Sequence, residues 1–444
     1  MTQVSPPRAP TTSVAPIPVA PVAPKPSSTL QVATNGLRLL IAGTPGRLRV
    51  YGALAIGACI IFGIFAFVGA TTKADALSGA RSDAAQLLRI QAIRINLVSA
   101  DASLTNAFLV GGLEPPAERA TYEGSIANAA KALAEAAGAS GADAAALAKI
   151  NDTITAYTGL VESARANNRQ GYPIGAAYLR TATSLLRNDA LPGLEAISQA
   201  EQDRIDDSYA SSAYASYWLI AGLVVPLAVL VLAQVWLARR TRRVFNLPLV
   251  IASALVVIIG AAVAGTMLWS QDKADNARSG AYFDTLELGS ARVDAFDAKS
   301  AESLTLIARG SGQEYQARYA ALAADTKAIL LDFENRNRGD GSARTAFLAY
   351  DATHVKIRGL DDGGDWQRAV DLATGTGATD SNALFNKFDA ASAIALDSRS
   401  NQLRDQLDSA RSPLIALAWI ALLAGILAAI AAWRGISNRL REYR

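Results

Sequence analysis

Four apolar runs without a charged residue, Val50 to Ala70, Trp218 to Leu237, Leu247 to Trp269 and Pro413 to Trp433, punctuate a chain that elsewhere mixes polar and small apolar residues. Each run is 20 to 23 residues long. At about 1.5 Å rise per residue that length matches a hydrocarbon core of roughly 30 Å, so the pattern predicts four transmembrane helices. The gaps are unequal: residues 71–217 between runs 1 and 2, residues 238–246 between runs 2 and 3, and residues 270–412 between runs 3 and 4. Two large domains therefore fall on one side of the membrane.

Both domains are rich in Ala, carry helix-type spacing and lack β-branched runs bounded by turns, so both are expected to be helical. After the first run, Ile90, Leu97 and Leu104 recur every seven residues with Ile93, Ala100 and Ala107 between them, the seam of a helix that packs on others. Gly111-Gly112, Gly138 to Gly141 and Gly171 divide this domain into four helices, Pro115 or Pro116 suits a helix start, and the last helix is interrupted near Leu191-Pro192-Gly193. The second half repeats the plan. Lys73-Ala74-Asp75, Ser103-Leu104-Thr105 and Gly112 recur 200 residues later, while Ala156-Tyr157, Arg165, Gly171 and Ala176 recur 193 residues later. The expectation is an all-α membrane protein: four transmembrane helices and two extracytoplasmic four-helix-bundle-like domains arising from internal duplication.

Charge sets the orientation. The net charge is only +3, but residues 71–217 hold 12 basic and 16 acidic residues and residues 270–412 hold 17 and 22. The remaining segments hold 13 basic residues and one acidic residue, Glu442. Arg47 and Arg49 precede the first span, Arg239, Arg240, Arg242 and Arg243 fill the short loop, and Arg434, Arg439, Arg441 and Arg444 follow the last span. The positive-inside rule therefore places residues 1–49, 238–246 and 434–444 in the cytoplasm and both domains outside a plasma membrane. Trp218, Trp236, Trp269 and Trp433 sit at span ends, as an interfacial belt requires. Cys59, the lone cysteine, falls in the middle of the first span, so no intrachain disulfide forms.

Residues 1 to about 35 alternate Pro with Ala, Val, Ser and Thr, a composition that stays extended and serves as a tether or a docking segment. No enzyme constellation is present. His354 is the single histidine, which excludes a His-based zinc site or a Ser/His/Asp triad and reads as a structural or surface residue. Asp361-Asp362-Gly363-Gly364-Asp365 lacks calcium-loop spacing, and no phosphate-binding Gly-rich loop occurs. No cofactor, metal or nucleic acid is expected. The spans hold no charged residue of the kind that lines a transport pathway. The cytoplasmic parts are too short for a signalling domain, so a signal must leave through another protein, and Arg239 to Arg243 contact either that partner or anionic lipid.

Two stretches carry a resemblance. Ala102-Ser103-Leu104-Thr105-Asn106-Ala107-Phe108-Leu109-Val110-Gly111-Gly112-Leu113-Glu114-Pro115-Pro116 and Tyr157-Thr158-Gly159-Leu160-Val161-Glu162 with Ala164-Arg165-Ala166-Asn167-Asn168-Arg169-Gln170-Gly171, after the Thr-Pro-Gly-Arg-Leu-Arg lead-in at Thr44 to Arg49, resemble actinobacterial four-span membrane proteins of the GlnX type. That resemblance implies work with a glutamine-type extracytoplasmic solute-binding lipoprotein and a soluble cytoplasmic Ser/Thr protein kinase, relaying amino-acid availability to nitrogen and glutamate metabolism. It carries no ligand residues. The residues themselves offer Arg94 with Asn96, Arg292 with Asp294, and the cluster Arg165, Asn168 and Arg169 as candidates for an amino acid's charged groups. The expected function is a transmembrane sensor that binds an amino acid or a loaded binding protein. A non-sensing scaffold or accessory subunit of a transport or envelope complex is the alternative, and a homodimer is an open assembly.

Overall fold

The structure is a computed structural model that describes residues 44–111, 113–241, 246–337 and 341–441. The Pro-rich segment, Gly112, Arg242, Arg243, Gly339 and Arg444 lie outside the described residues. Among the described residues every regular element is a helix. Half 1 consists of α1 (Thr44–Val110), α2 (Pro116–Ala139), α3 (Ala144–Arg169), α4 (Ile174–Leu185), a π-helical turn π1 (Leu186–Ala190) and α5 (Leu191–Thr241). Half 2 consists of α6 (Leu247–Ala277), π2 (Arg278–Tyr282), α7 (Phe283–Ile307), α8 (Gln313–Arg336), α9 (Ser342–Asp362), α10 (Trp366–Thr374) and α11 (Ser381–Arg441).

Four of these helices, α1, α5, the α6–π2–α7 rod and α11, contain stretches long and apolar enough to cross a membrane. The protein is thus a multi-pass membrane protein. Each of the four continues from its span into a bundle: α1 alone has 67 residues, about 100 Å of rod. Spans 1 and 4 approach closely, since a Cβ on Gly425 would lie 2.7 Å from the Gly63 Cα. Two glycines there let the backbones touch, which is how apolar helices gain dispersion contact where lipid offers no hydrophobic drive. Pro226 lies inside α5 without ending it.

The duplication is visible in the backbone. Helices α3 and α9 both end on a left-handed glycine, Gly171 at φ 72° and Gly364 at φ 85°. In each case the next amide reaches back five residues, Tyr172 N to Asn167 O at 3.0 Å and Asp365 N to Leu360 O at 2.8 Å. These are two copies of one glycine-dependent helix cap. Equivalent tyrosines, Tyr157 and Tyr350, fill the centres of the two bundles and are fully buried. The predicted seam of α1 is buried throughout: Ile90, Ile93, Leu97, Ala100 and Leu104 have no exposed surface and Ala107 almost none.

One feature departs from the expectation of two separate domains. Ile95, Val98 and Ala102 of α1 pack into the core of bundle 2, and Leu304 of α7 packs into that of bundle 1. Helix α1 is buried on nearly every side between Ile90 and Ala107, as α7 is between Leu288 and Leu306. A helix with apolar or small residues at most positions around its circumference needs partners on more than one side. The bundles therefore share a central α1–α7 pair.

Candidate functional site

Two connections meet at the membrane-distal tip of bundle 1: the segment after α1, with Leu113 and Glu114, and the turn from α3 to α4 around Gly171. Arg165, on the last turns of α3, ties them together. Its Nη2 donates to Glu114 Oε1 at 2.9 Å and its Nη1 to Glu162 Oε1 at 2.7 Å, and the guanidinium lies 4.3 Å from the centre of the Tyr122 ring. Burial disfavours its charge, but the two carboxylates outweigh burial and hold its pKa above the ordinary value. Its Nε is buried without a partner.

Beside Arg165 lies a small cleft of about 120 Å³ with Ala107, Phe108 and Leu113 on its apolar side and Asn168 and Arg169 on its polar side. Two carboxylates on one guanidinium leave a surplus negative charge, while the Arg169 side chain is exposed and makes no ion pair among the described residues. Arg119, also at the cleft, is matched by Glu123 at 2.8 Å. The cleft thus presents one free cation and one surplus anion. That is complementary to a small solute carrying both a carboxylate and an ammonium group. Its lining holds no Ser, Cys, Lys or His side chain.

The other candidates lie elsewhere. Arg94 pairs with Glu195 at 2.7 Å and faces Asp294 across the joint between bundles. The Asp294 carboxyl is pushed up to about 6 by burial and by Asp325 and Asp297, against the pull of Arg94 and Arg318. Asn96 donates back to Ala92 O at 2.7 Å, within its own helix. Arg292 turns into bundle 2, where Nη1 donates to Asp389 O at 2.7 Å and Nη2 to Asp389 Oδ1 at 2.6 Å. Arg94 and Arg292, near-equivalent in sequence, thus occupy different surroundings. Arg239 is exposed near the end of α5, Arg240 follows it in that helix, and Arg242 and Arg243 are outside the described residues.

Sequence reasoning missed the joint itself. Asp101 is buried in the middle of the α1 seam, accepting from Thr183 Oγ1 at 2.7 Å and from Ser300 Oγ of the other half at 2.8 Å. Arg187 on π1 donates from Nε to Asp297 Oδ1 at 2.9 Å, again across halves. Conversely, Arg278 on π2 donates to Asp206 Oδ1 of α5 at 2.6 Å. Each π turn thus carries one arginine to the opposite half. Such one-residue bulges in otherwise α-helical rods re-aim side chains and recur at functional positions. The available signal was Asp101, an acid in an otherwise apolar and small stretch.

With this geometry in hand, comparison with known proteins adds one match. Residues 76–210 match the family model of the actinobacterial sensor domain. The match spans bundle 1, from the base of the outer part of α1 to the α5 segment that enters the membrane, and includes the whole tip cleft. A domain similar to actinobacterial sensor domains therefore sits between spans 1 and 2 of a four-span protein. No curated protein and no solved structure matches the chain.

Proposed function

We propose that the protein is a transmembrane sensor that relays extracytoplasmic amino-acid availability, met directly or through a solute-binding lipoprotein, to a cytoplasmic protein kinase. The observation that carries this reading is continuity. Phe108, on a wall of the tip cleft, and the first span belong to one unbroken helix, α1, within the segment that resembles a sensor domain. A ligand that draws Arg169 and the Glu114 segment together shifts the end of a rod whose other end lies in the membrane. Bundle interfaces have discrete packings, so small helix displacements suffice to carry that shift. The arginine-rich short segments orient both termini and the loop toward the cytoplasm. The chain then acts by contact and not by catalysis.

Two experiments test this. Full-length protein in nanodiscs should bind at least one free amino acid or an amino-acid-loaded binding protein, and Arg169→Gln should weaken that binding roughly tenfold, the worth of one charge-assisted contact. In intact cells, crosslinking should attach a kinase on the cytoplasmic face in an amino-acid-dependent way. A scaffold would show partners unchanged by amino acids, and that outcome would overturn the sensor reading. Fluorescent reporters active only in the cytoplasm should be dark when inserted at Gly138 and bright after Arg444.

A further inference from the structure

The tip of bundle 2 contains a second cleft, about 450 Å³ in volume, lined among others by Thr305, Arg309, Gln313, Arg358, Asp362 and Trp366. It is the duplicate of the first: Gln313 stands 200 residues after Leu113, and Arg358, Asp361 and Asp362 stand 193 residues after Arg165, Asn168 and Arg169, all of them lining residues. The charge plan is also repeated, with different residues. Arg358 donates from Nη1 to Asp361 Oδ2 at 2.5 Å and from Nη2 to Asp362 Oδ1, so one guanidinium again sits between two carboxylates with a negative charge in surplus. The free cation is Arg309.

Arg309 is held in an unusual way. At φ 41° it is the one non-glycine residue with positive φ among the described residues. An L side chain is strained in that region and persists there only where the surroundings enforce it. Here they do. Gly312 is pressed against α7, where a Cβ would lie 2.6 Å from Thr305 O, and Trp366 anchors the facing turn by donating from Nε1 to Leu306 O at 2.9 Å. The result lays the Arg309 guanidinium over the Trp366 ring, 4.0 Å from its centre. Stacked in that way it makes no ion pair or hydrogen bond among the described residues. Its in-plane N–H groups remain open to a planar oxyanion.

We propose that this cleft is a second ligand site, for a small zwitterion whose carboxylate is received by Arg309 and whose ammonium group is received by the surplus carboxylate at Asp361 and Asp362. Zero net charge in the cleft disfavours a phosphate or a dicarboxylate, which would leave negative charge uncompensated. Its volume lies within the range of small-molecule sites, nearly four times that of the bundle 1 cleft, so it admits a bulkier solute. This site lies in the other bundle and does not depend on the sensor reading of bundle 1.

Trp366 supplies its own readout. Of six tryptophans, five lie in or at the ends of the spans, and Trp366 alone stands at a tip. Full-length protein in nanodiscs would be titrated with glycine, L-alanine, L-glutamine, L-leucine and L-phenylalanine, with acetate and methylammonium as half-ligands. Tryptophan emission and its quenching by neutral acrylamide are followed. At least one zwitterion should shift the signal saturably while neither half-ligand does so at the same concentration. Arg309→Gln should weaken the response roughly tenfold or more, since one bidentate charged contact is lost, and Arg169→Gln should leave it unchanged. A panel without effect, a response that survives Arg309→Gln, or acetate binding as tightly as the amino acids would each overturn the proposal. Arg169→Gln reports on bundle 1 separately, so either site can fail alone.

Discussion

At mid-height Tyr157 fills the centre of bundle 1 and Tyr350 that of bundle 2, and around these matched rings the surroundings diverge. Bundle 1 places Ser99 and Val161 there, whereas the equivalent positions of bundle 2 hold Lys299 and His354, 200 and 193 residues on, joined by Glu302. All three of the latter are buried. Glu302 Oε1 accepts from Lys299 Nζ and Ser381 Oγ at 2.7 Å each, and Oε2 lies 2.8 Å from His354 Nδ1. Although burial opposes it, Lys299 and His354 hold the Glu302 carboxyl well below the usual carboxylate range. In bundle 1 the Ser99 position makes one neutral bond, accepting from Ser125 Oγ at 3.2 Å, and the buried acid beside Tyr157 is Asp101. Duplication thus kept a backbone plan and let the core chemistry diverge, with a Lys–Glu–His set beside Tyr350 and a single acid, Asp101, beside Tyr157. The difference matters because a buried ionic set tolerates the loss of a member far less than a neutral one does.

The largest expected effect follows from that. Glu302→Gln leaves Lys299 and His354 without their shared carboxylate and should destabilise bundle 2 by about 3–5 kcal/mol. Ser99→Ala should cost bundle 1 no more than about 1 kcal/mol. Limited proteolysis of the full chain in nanodiscs, with fragments mapped to each bundle, separates the two. Equal sensitivity of the bundles would show that the ionic centre is not what distinguishes them.

A second contrast lies at the membrane-proximal ends. Bundle 2 is tied there by Arg336, which donates from Nε to Asp284 Oδ1 at 3.0 Å and also reaches Glu287. Bundle 1 uses Arg204, which donates to Asp143 Oδ1 at 2.9 Å and also meets the buried Glu201. Burial and the neighbouring Asp143 carboxylate push Glu201 up to about 8 from its ordinary 4.5. For Asp143, burial acts upward, but Arg204 outweighs it and holds the group at about 2. A carboxyl whose folded pKa exceeds its unfolded value keeps a proton that the unfolded chain has released, so its contribution is fully present below pH 4.5 and is lost as pH rises toward 8. Bundle 1 should lose roughly 2–4 kcal/mol over that window, with Asp143 acting only below about pH 4. Glu201→Gln should flatten the profile, read as hydrogen exchange in α3 and α5 between pH 5 and 8. A wild-type profile that is already flat would remove Glu201 from the account.

Much of this architecture was legible because membrane insertion and helix capping leave local signatures. Each span is a contiguous run, and Gly111, Gly171 and Pro116 mark helix boundaries where they stand. Arg165, Asn168 and Arg169 could be singled out because three polar residues follow one another near a helix end, and they share a cleft wall for the same reason. The joint between bundles was not legible. Asp101, Arg187 and Asp297 are brought together by the burial of α1 against α7 and by a π turn, and neither leaves a local trace beyond an acid in a seam. Nor does sequence equivalence of Arg94 and Arg292 determine their surroundings, because the bundle joint covers one and α11 the other.

The smallest effect tests the duplication itself. Gly171 and Gly364 close the same cap, and a Cβ added at either would meet nothing within 4 Å. Substitution there changes backbone preference without a packing clash, which makes the two positions a matched pair. At left-handed φ, Ala should cost about 1 kcal/mol or slightly more, and Asn less, because its short polar side chain tolerates that region. The order Gly, Asn, Ala should therefore hold at both positions with nearly equal spacing, read as local hydrogen exchange in α3 and in α9. If Gly171→Ala loosens its bundle while Gly364→Ala is silent, the caps are not equivalent. The tip of bundle 2, with Arg309 already strained beside it, would then draw its rigidity from the Arg309–Trp366 stack instead of the inherited turn.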